Sequence, residues 1–124
     1  MRLNGGPPEL VARTRAYALA VIRFYSRLPR ETVAQVLGRQ LLSSGTSVGS
    51  QYREAQRAKS IADFISKVQG SLQELDETAY WLELIEGSAV SVDDGLGALK
   101  AETEELIAIF MSIVKSARNT KDSR

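Results

Sequence analysis

Four stretches of this chain repeat their apolar and small residues at alternating intervals of three and four, a spacing that keeps one face of each helix turned toward a packed neighbour. In the first, Leu10, Thr14, Tyr17, Val21, Phe24 and Leu28 carry the pattern, and Pro29 stops it because proline lacks an N–H and disfavours helical geometry in the residue before it. The second runs from about Glu31 to Ala58 with Leu37, Leu41, Ser44, Val48, Gln51 and Ala55 in phase. Its middle, Ser43-Ser44-Gly45-Thr46-Ser47, has poor helix propensity; the flanking pattern predicts a continuous helix with small side chains where another helix comes close. The third opens on Ser60 and Asp63, a variant of the capping box, and continues through Ile61, Ile65, Val68, Leu72, Leu75, Ala79 and Leu82 until Gly87. After a loop over Gly87 to Ser91, Asp93 and Asp94 suit the positive end of a fourth helix, which follows with Leu96, Leu99, Thr103, Leu106, Phe110 and Ile113.

The predicted fold is all-α, an antiparallel up-down-up-down four-helix bundle over residues 9–117. Residues 1–8, with Gly5-Gly6-Pro7-Pro8, read as a flexible lead-in without the apolar core of a signal peptide, and residues 118–124 as the end of a polar tail that frays from Ser116. The longest strongly apolar stretch, Leu106 to Val114, is about half the ~20 residues of a membrane span. These features predict a soluble protein with no membrane partner.

The chain has no cysteine and no histidine. That removes disulfides, thiolate zinc sites, the Ser-His-Asp triad and the Glu-x-x-His di-iron pattern of helical bundles. The pairs Glu74/Glu77 and Glu102/Glu105 share a helix face and invite a metal or acid–base reading. Without histidine or a nucleophile nearby, ion pairing is the better reading. No reaction class and no cofactor are expected.

A net charge of +1 conceals an asymmetry. Residues 1–62 hold ten Lys/Arg against three Asp/Glu, and residues 63–124 hold six against twelve. Heptad register places Arg39, Thr46 and Arg53 outward on the second helix and Arg15, Arg23 and Arg30 outward on the first, with Arg13 and Arg27 beside the seam. Together with Arg57, the outward arginines Arg15, Arg23, Arg30, Arg39 and Arg53 are the candidate RNA or partner contacts. Arginine suits bidentate contact either to phosphate or to a carboxylate of a neighbouring subunit. On the third helix Asp63, Lys67, Gly70, Glu74, Glu77 and Trp81 fall beside the core stripe, and a helix-interior glycine with a tryptophan suggests a close second backbone; these six form the candidate oligomer interface.

The ordered set Gln40-Leu41-Leu42-Ser43-Ser44, Ser47-Val48-Gly49, Tyr52-Arg53-Glu54-Ala55 and Ala58, then Asp63-Phe64-Ile65 with Lys67, Glu74 with Glu77, and Tyr80-Trp81-Leu82, resembles the bacterial four-helix-bundle proteins encoded in intervening sequences of 23S ribosomal RNA genes. Leu28-Pro29 matches as well, and the resemblance covers about residues 9–117. Two departures stand out: Ser43 where relatives commonly have arginine, and Gln51 where they have asparagine. The resemblance implies a cytoplasmic homo-oligomer, a pentameric ring, with no established enzymatic activity. A related branch resembles accessory subunits of diversity-generating retroelements, which bind nucleic acid and a reverse transcriptase. Two functions are therefore expected in competition: a ring whose basic region binds structured RNA, such as ribosomal RNA or its precursor, and a protein-interaction scaffold whose charge split serves self-assembly.

Overall fold

In the computed structural model, which describes residues 9–90 and 95–122, the chain forms α1 (Glu9–Ser26), α2 (Thr32–Ala55), α3 (Ile61–Gly87) and α4 (Gly95–Asp122). Each boundary has a local cause. α1 closes in a tight turn, Leu28 N–H to Tyr25 C=O, and the turn is clamped by Gln35, which donates to the Pro29 carbonyl at 2.8 Å and accepts from the Tyr25 hydroxyl at 3.0 Å. Ser60 caps α3: its hydroxyl accepts the Asp63 N–H at 3.0 Å while the Asp63 carboxylate accepts the Lys59 N–H at 3.1 Å. α3 runs through Gly87, and the left-handed residue that ends it is Ala89, with φ 55°. Asp93 and Asp94, expected at the start of α4, lie outside the described residues, as do residues 1–8. α4 itself continues past Ser116, where polar composition predicts fraying, because Ala117 is still buried.

Contacts between the helices fix their order and direction. Thr14 meets Gly49 and Val21 meets Gly45; Ser44 meets Thr78 and Glu54 meets Lys67; Glu86 meets Lys100; Arg13 meets Glu102. Along the α1/α2 and α2/α3 seams one number rises as the other falls, and in α3/α4 Gln69 and Leu72 line one groove with Met111 and Arg118 while Glu86 meets Lys100, so successive helices run antiparallel, and α4 closes the bundle against α1. The α2–α3 turn and the last turns of α4 share one end of the bundle. The other end carries the α1–α2 turn.

The Ser43–Ser47 run is helical throughout, and its purpose is close approach. A Cβ added at Gly45 would lie 2.8 Å from Val21 Cγ2, and one at Gly38 would lie 2.7 Å from Leu28 Cδ1. α1 therefore sits deep on a glycine face of α2. The space over Gly70 is filled by the side chain of Gln51 from α2 of the same chain.

The core stripe lies one residue away from the most apolar choice at several points. Gly38 and Tyr52 are buried where Leu37 and Gln51 were expected, Ser71 and Thr78 where Leu72 and Ala79 were expected, and Val114 in place of Ile113. Leu37, Leu72 and Ile113 are half-buried and pack on the flank of the core. Small and hydroxylic residues take several of these central positions, and their hydroxyls find partners. Tyr17 of α1 bonds Thr103 of α4 at 2.6 Å, and Thr78 of α3 bonds Ser44 of α2 at 2.8 Å. Thr103 and Thr78 donate in turn to the carbonyls of Leu99 and Glu74, and Ser71 donates across the seam to the Val48 carbonyl at 2.9 Å. Buried hydroxyl pairs thus tie α1 to α4 and α2 to α3 with their polar atoms satisfied.

Two outcomes follow from this packing. Gly45→Ala gains about 1 kcal/mol of helix propensity but forces a methyl against the stiff, fully buried Val21, at a cost of about 1–3 kcal/mol; the net loss of about 1 kcal/mol should lower Tm by roughly 3–6 °C in a thermal melt. Burial pushes the Tyr17 phenol up to about 12, outweighing the opposing hydrogen bonds from Thr103 and Thr78. A phenol raised on folding contributes stability that is complete below its ordinary value near 10 and lost as pH rises toward 12. Denaturant unfolding over that window should show a fall in wild-type stability that Tyr17→Phe lacks.

Candidate functional site

The described residues contain no group of three or more Asp, Glu, His or Cys placed to hold a metal ion, and no helix is long and apolar enough to cross a membrane. What the bundle offers instead is charge, and its ion pairs decide how much remains available. Arg13 is committed. Its guanidinium makes a bidentate contact with Glu102, both distances 2.8 Å, and a third bond of 2.9 Å to Glu105, which together hold it charged far above its ordinary range. The Glu102/Glu105 pair is thereby an ion-pairing site. Lys67 pairs with Glu54 at 3.4 Å across the α2/α3 seam, and Lys100 pairs with Glu86.

All six arginines singled out in the sequence are exposed, and none makes an ion pair among the described residues. The fold brings only two of them together. Arg15 from α1 and Arg53 from α2 flank a groove of about 260 Å³ whose floor is Thr14, Ala18, Thr46 and Gly49, with Ser50 beside them. Gly49 lets α1 approach closely here: a Cβ on it would come 3.0 Å from the Thr14 hydroxyl. Arg23 lies instead on the α1/α4 side, where a groove of about 320 Å³ runs over Tyr17, Phe24 and Leu99 between Arg23 and Arg27. Arg30 stands at the α1–α2 turn beside Tyr25 and Gln35, Arg57 in the α2–α3 turn at the opposite end, and Arg39 on the outer face of α2.

The six residues of the expected oligomer interface line the outer edge of the α2/α3 seam, and most have partners inside the chain. Asp63 caps α3, Lys67 holds Glu54, Gly70 lies beneath Gln51, and Glu74 accepts from Gln51 Nε2 at 3.4 Å. Partial burial, with the neighbouring Glu77 charge, raises the Glu74 carboxyl above its ordinary range against the opposing hydrogen bond from Gln51. Trp81 is half-buried against the core with its indole N–H lacking an acceptor, and Tyr80 beside it is exposed with the two rings 5.2 Å apart. Glu77 is exposed. Of the family departures, Ser43 is exposed on α2 and Gln51 is the residue seated over Gly70.

Two groups were missed in the sequence. The buried hydroxyls of Tyr17, Ser44 and Thr103 read as filler in an apolar stripe, and that of Thr78 lay outside the stripe. Lys115, Arg118 and Lys121 were hidden inside an acidic half, although the order of charges, acids through Glu105 and bases after it, carries the signal.

A crystal structure of a protein of unknown function from the S23 ribosomal protein family of Bacteroides thetaiotaomicron VPI-5482 has the same fold, with a TM-score of 0.78, 33% sequence identity, and coverage of 85% of this chain and 97% of that one. No curated protein matches the chain. The family described as 23S rRNA-intervening sequence protein matches residues 9–112, the span that holds all four helices apart from the last turns of α4. With that match and the shared bundle, the chain belongs to the 23S rRNA-intervening sequence protein family.

Proposed function

We propose that this chain is a non-catalytic, ring-forming bundle that binds structured RNA, ribosomal RNA or its precursor, with the α1/α2 groove as a principal contact. The observation that carries the reading is the convergence of Arg15 and Arg53 on a floor of small and hydroxylic residues, with no carboxylate paired to either among the described residues. A groove with two guanidinium groups at its rim, and Val11 as the largest apolar side chain lining it, admits a phosphate backbone and presents fork-shaped donors to it. The family name refers to intervening sequences of 23S ribosomal RNA, which makes that RNA the first partner to test. Self-assembly is supported by apolar side chains left on the surface, among them Ile22 at 41%, Val36 at 47% and Val33 at 53% exposure.

The scaffold reading draws less support, because the charge attraction it would use between subunits is partly spent inside one. Arg13 with Glu102 and Glu105, Lys67 with Glu54 and Lys100 with Glu86 are all contacts within the chain.

Filter binding of ribosomal RNA fragments between 50 and 200 mM salt tests the proposal. Affinity should fall steeply with salt. Arg15→Gln with Arg53→Gln should weaken binding on the order of 10-fold and reduce the slope of log affinity against log salt by about 1 per arginine, with the light-scattering mass unchanged. No affinity at low salt, or affinity indifferent to salt, rejects RNA binding; a ring that dissociates in the double variant favours the scaffold.

A further inference from the structure

The second half of the sequence is acidic in sum, yet its charges are sorted along the bundle. Among the described residues its acids from Glu74 to Glu105 occupy the middle and C-terminal part of α3 and the first turns of α4, which lie side by side in the antiparallel pair, as the Lys100–Glu86 contact marks. Its bases Lys115, Arg118 and Lys121 follow on the last turns of α4 and reach the end where α2 and α3 are joined. That end already carries Arg53, Arg57 and Lys59. All six are exposed, and none makes an ion pair among the described residues. Of the acids at the same end, Glu54 holds Lys67 and Asp63 caps α3, while Asp122 is exposed. The basic surface is thus not confined to the first two helices, where Arg23, Arg30 and Arg39 lie, but extends through this end to α4.

At this end a second groove, of about 400 Å³, opens between α3 and α4, opposite the groove of Arg15 and Arg53. Its apolar floor is Leu72, Val114 and Met111, and its rim carries Gln69, Lys115 and Arg118, with Asp122 at the edge. Met111 is 57% exposed, the largest exposure among the big apolar side chains of the described residues. An apolar floor beside two cations matches a nucleotide, with the base face on the floor and the phosphate on the rim. It does not match a purely aliphatic ligand, for which the cations have no use.

We infer that the RNA-binding surface continues around the α2–α3 end of the bundle to this α3/α4 groove, so that one RNA segment crossing the end is held by Arg15 and Arg53 on one side and by Lys115 and Arg118 on the other. The inference rests on the RNA-binding reading above. The two grooves are separated by two helix-packing distances, on the order of 20 Å, with Arg57 and Lys59 on the turn beneath the path. The acidic flank of α3 and α4 repels RNA from the rest of that face and fixes which end is used. Cations at a helix C-terminus also complement the helix dipole, and that role alone would affect stability without any effect on RNA.

The test is the same filter-binding titration on the full chain with Lys115→Gln plus Arg118→Gln, beside Lys100→Gln from the other end and a thermal melt of each variant. The paired substitution should lower the salt slope by about 2 and the affinity on the order of 10-fold, while Lys100→Gln leaves both unchanged. Wild-type slope and affinity in the Lys115/Arg118 variant, with the Arg15/Arg53 variant still impaired, would overturn the second groove and leave RNA binding standing. A change in Tm alone assigns these cations to the helix dipole and also overturns it. Absence of RNA binding by the wild type removes both readings together.

Discussion

The buried layer of Tyr17, Ser44, Thr78 and Thr103 is the constraint on which the placement of every surface residue depends. Apolar stripes tolerate sliding, because one leucine contact resembles another, but a hydroxyl group displaced from its partner in a dry core costs about 1–3 kcal/mol. With one contributor from each helix, these pairs penalise axial slip or rotation of α1 against α4 and of α2 against α3. The glycine face of α2 adds the second restraint, since α1 fits deeply only where Val21 faces Gly45 and Thr14 faces Gly49. Arg15 comes beside Arg53 as a consequence of that fit.

Charge is then distributed by what the register leaves unpaired. Arg13 falls opposite Glu102 and Glu105 and is neutralised, whereas Arg15, two residues on and turned to the other flank of α1, meets small residues and no carboxylate. A pair of arginines equivalent in composition thus divides into one that closes the α1/α4 seam and one that faces outward. Surface ion pairs contribute little stability singly, so the larger consequence of these contacts is to remove charge from the available surface.

The helices, their order and most of the core were legible because a 3.5-residue repeat survives without tertiary information. The structure departs from the expected stripe mostly in one way, Tyr52 buried in place of Gln51 being the exception. Leu37, Leu72, Ala79 and Ile113 were preferred to neighbours less apolar or no more so, while the structure buries Gly38, Ser71, Thr78 and Val114. Hydrophobicity ranks side chains by their transfer from water, but at a close helix crossing the deciding quantities are volume and access to a hydroxyl partner. At Gly70 the gap in the helix face shows that something approaches, and within the chain the visitor is Gln51.

By itself the sequence determined the four helices, the capping of α3 by Ser60, the absence of cysteine and histidine chemistry, and the total of each charge, because all of these depend on local spacing or on composition alone. Only the tertiary structure decided that Gln51 fills the space over Gly70, that Arg13 is spent on Glu102 while Arg15 and Arg53 share a groove, and that the bases of α4 join those of the α2–α3 turn. Those outcomes depend on which residues of different helices become neighbours. That is set by the register of the buried hydroxyl layer and by how closely α1 can approach the glycines of α2.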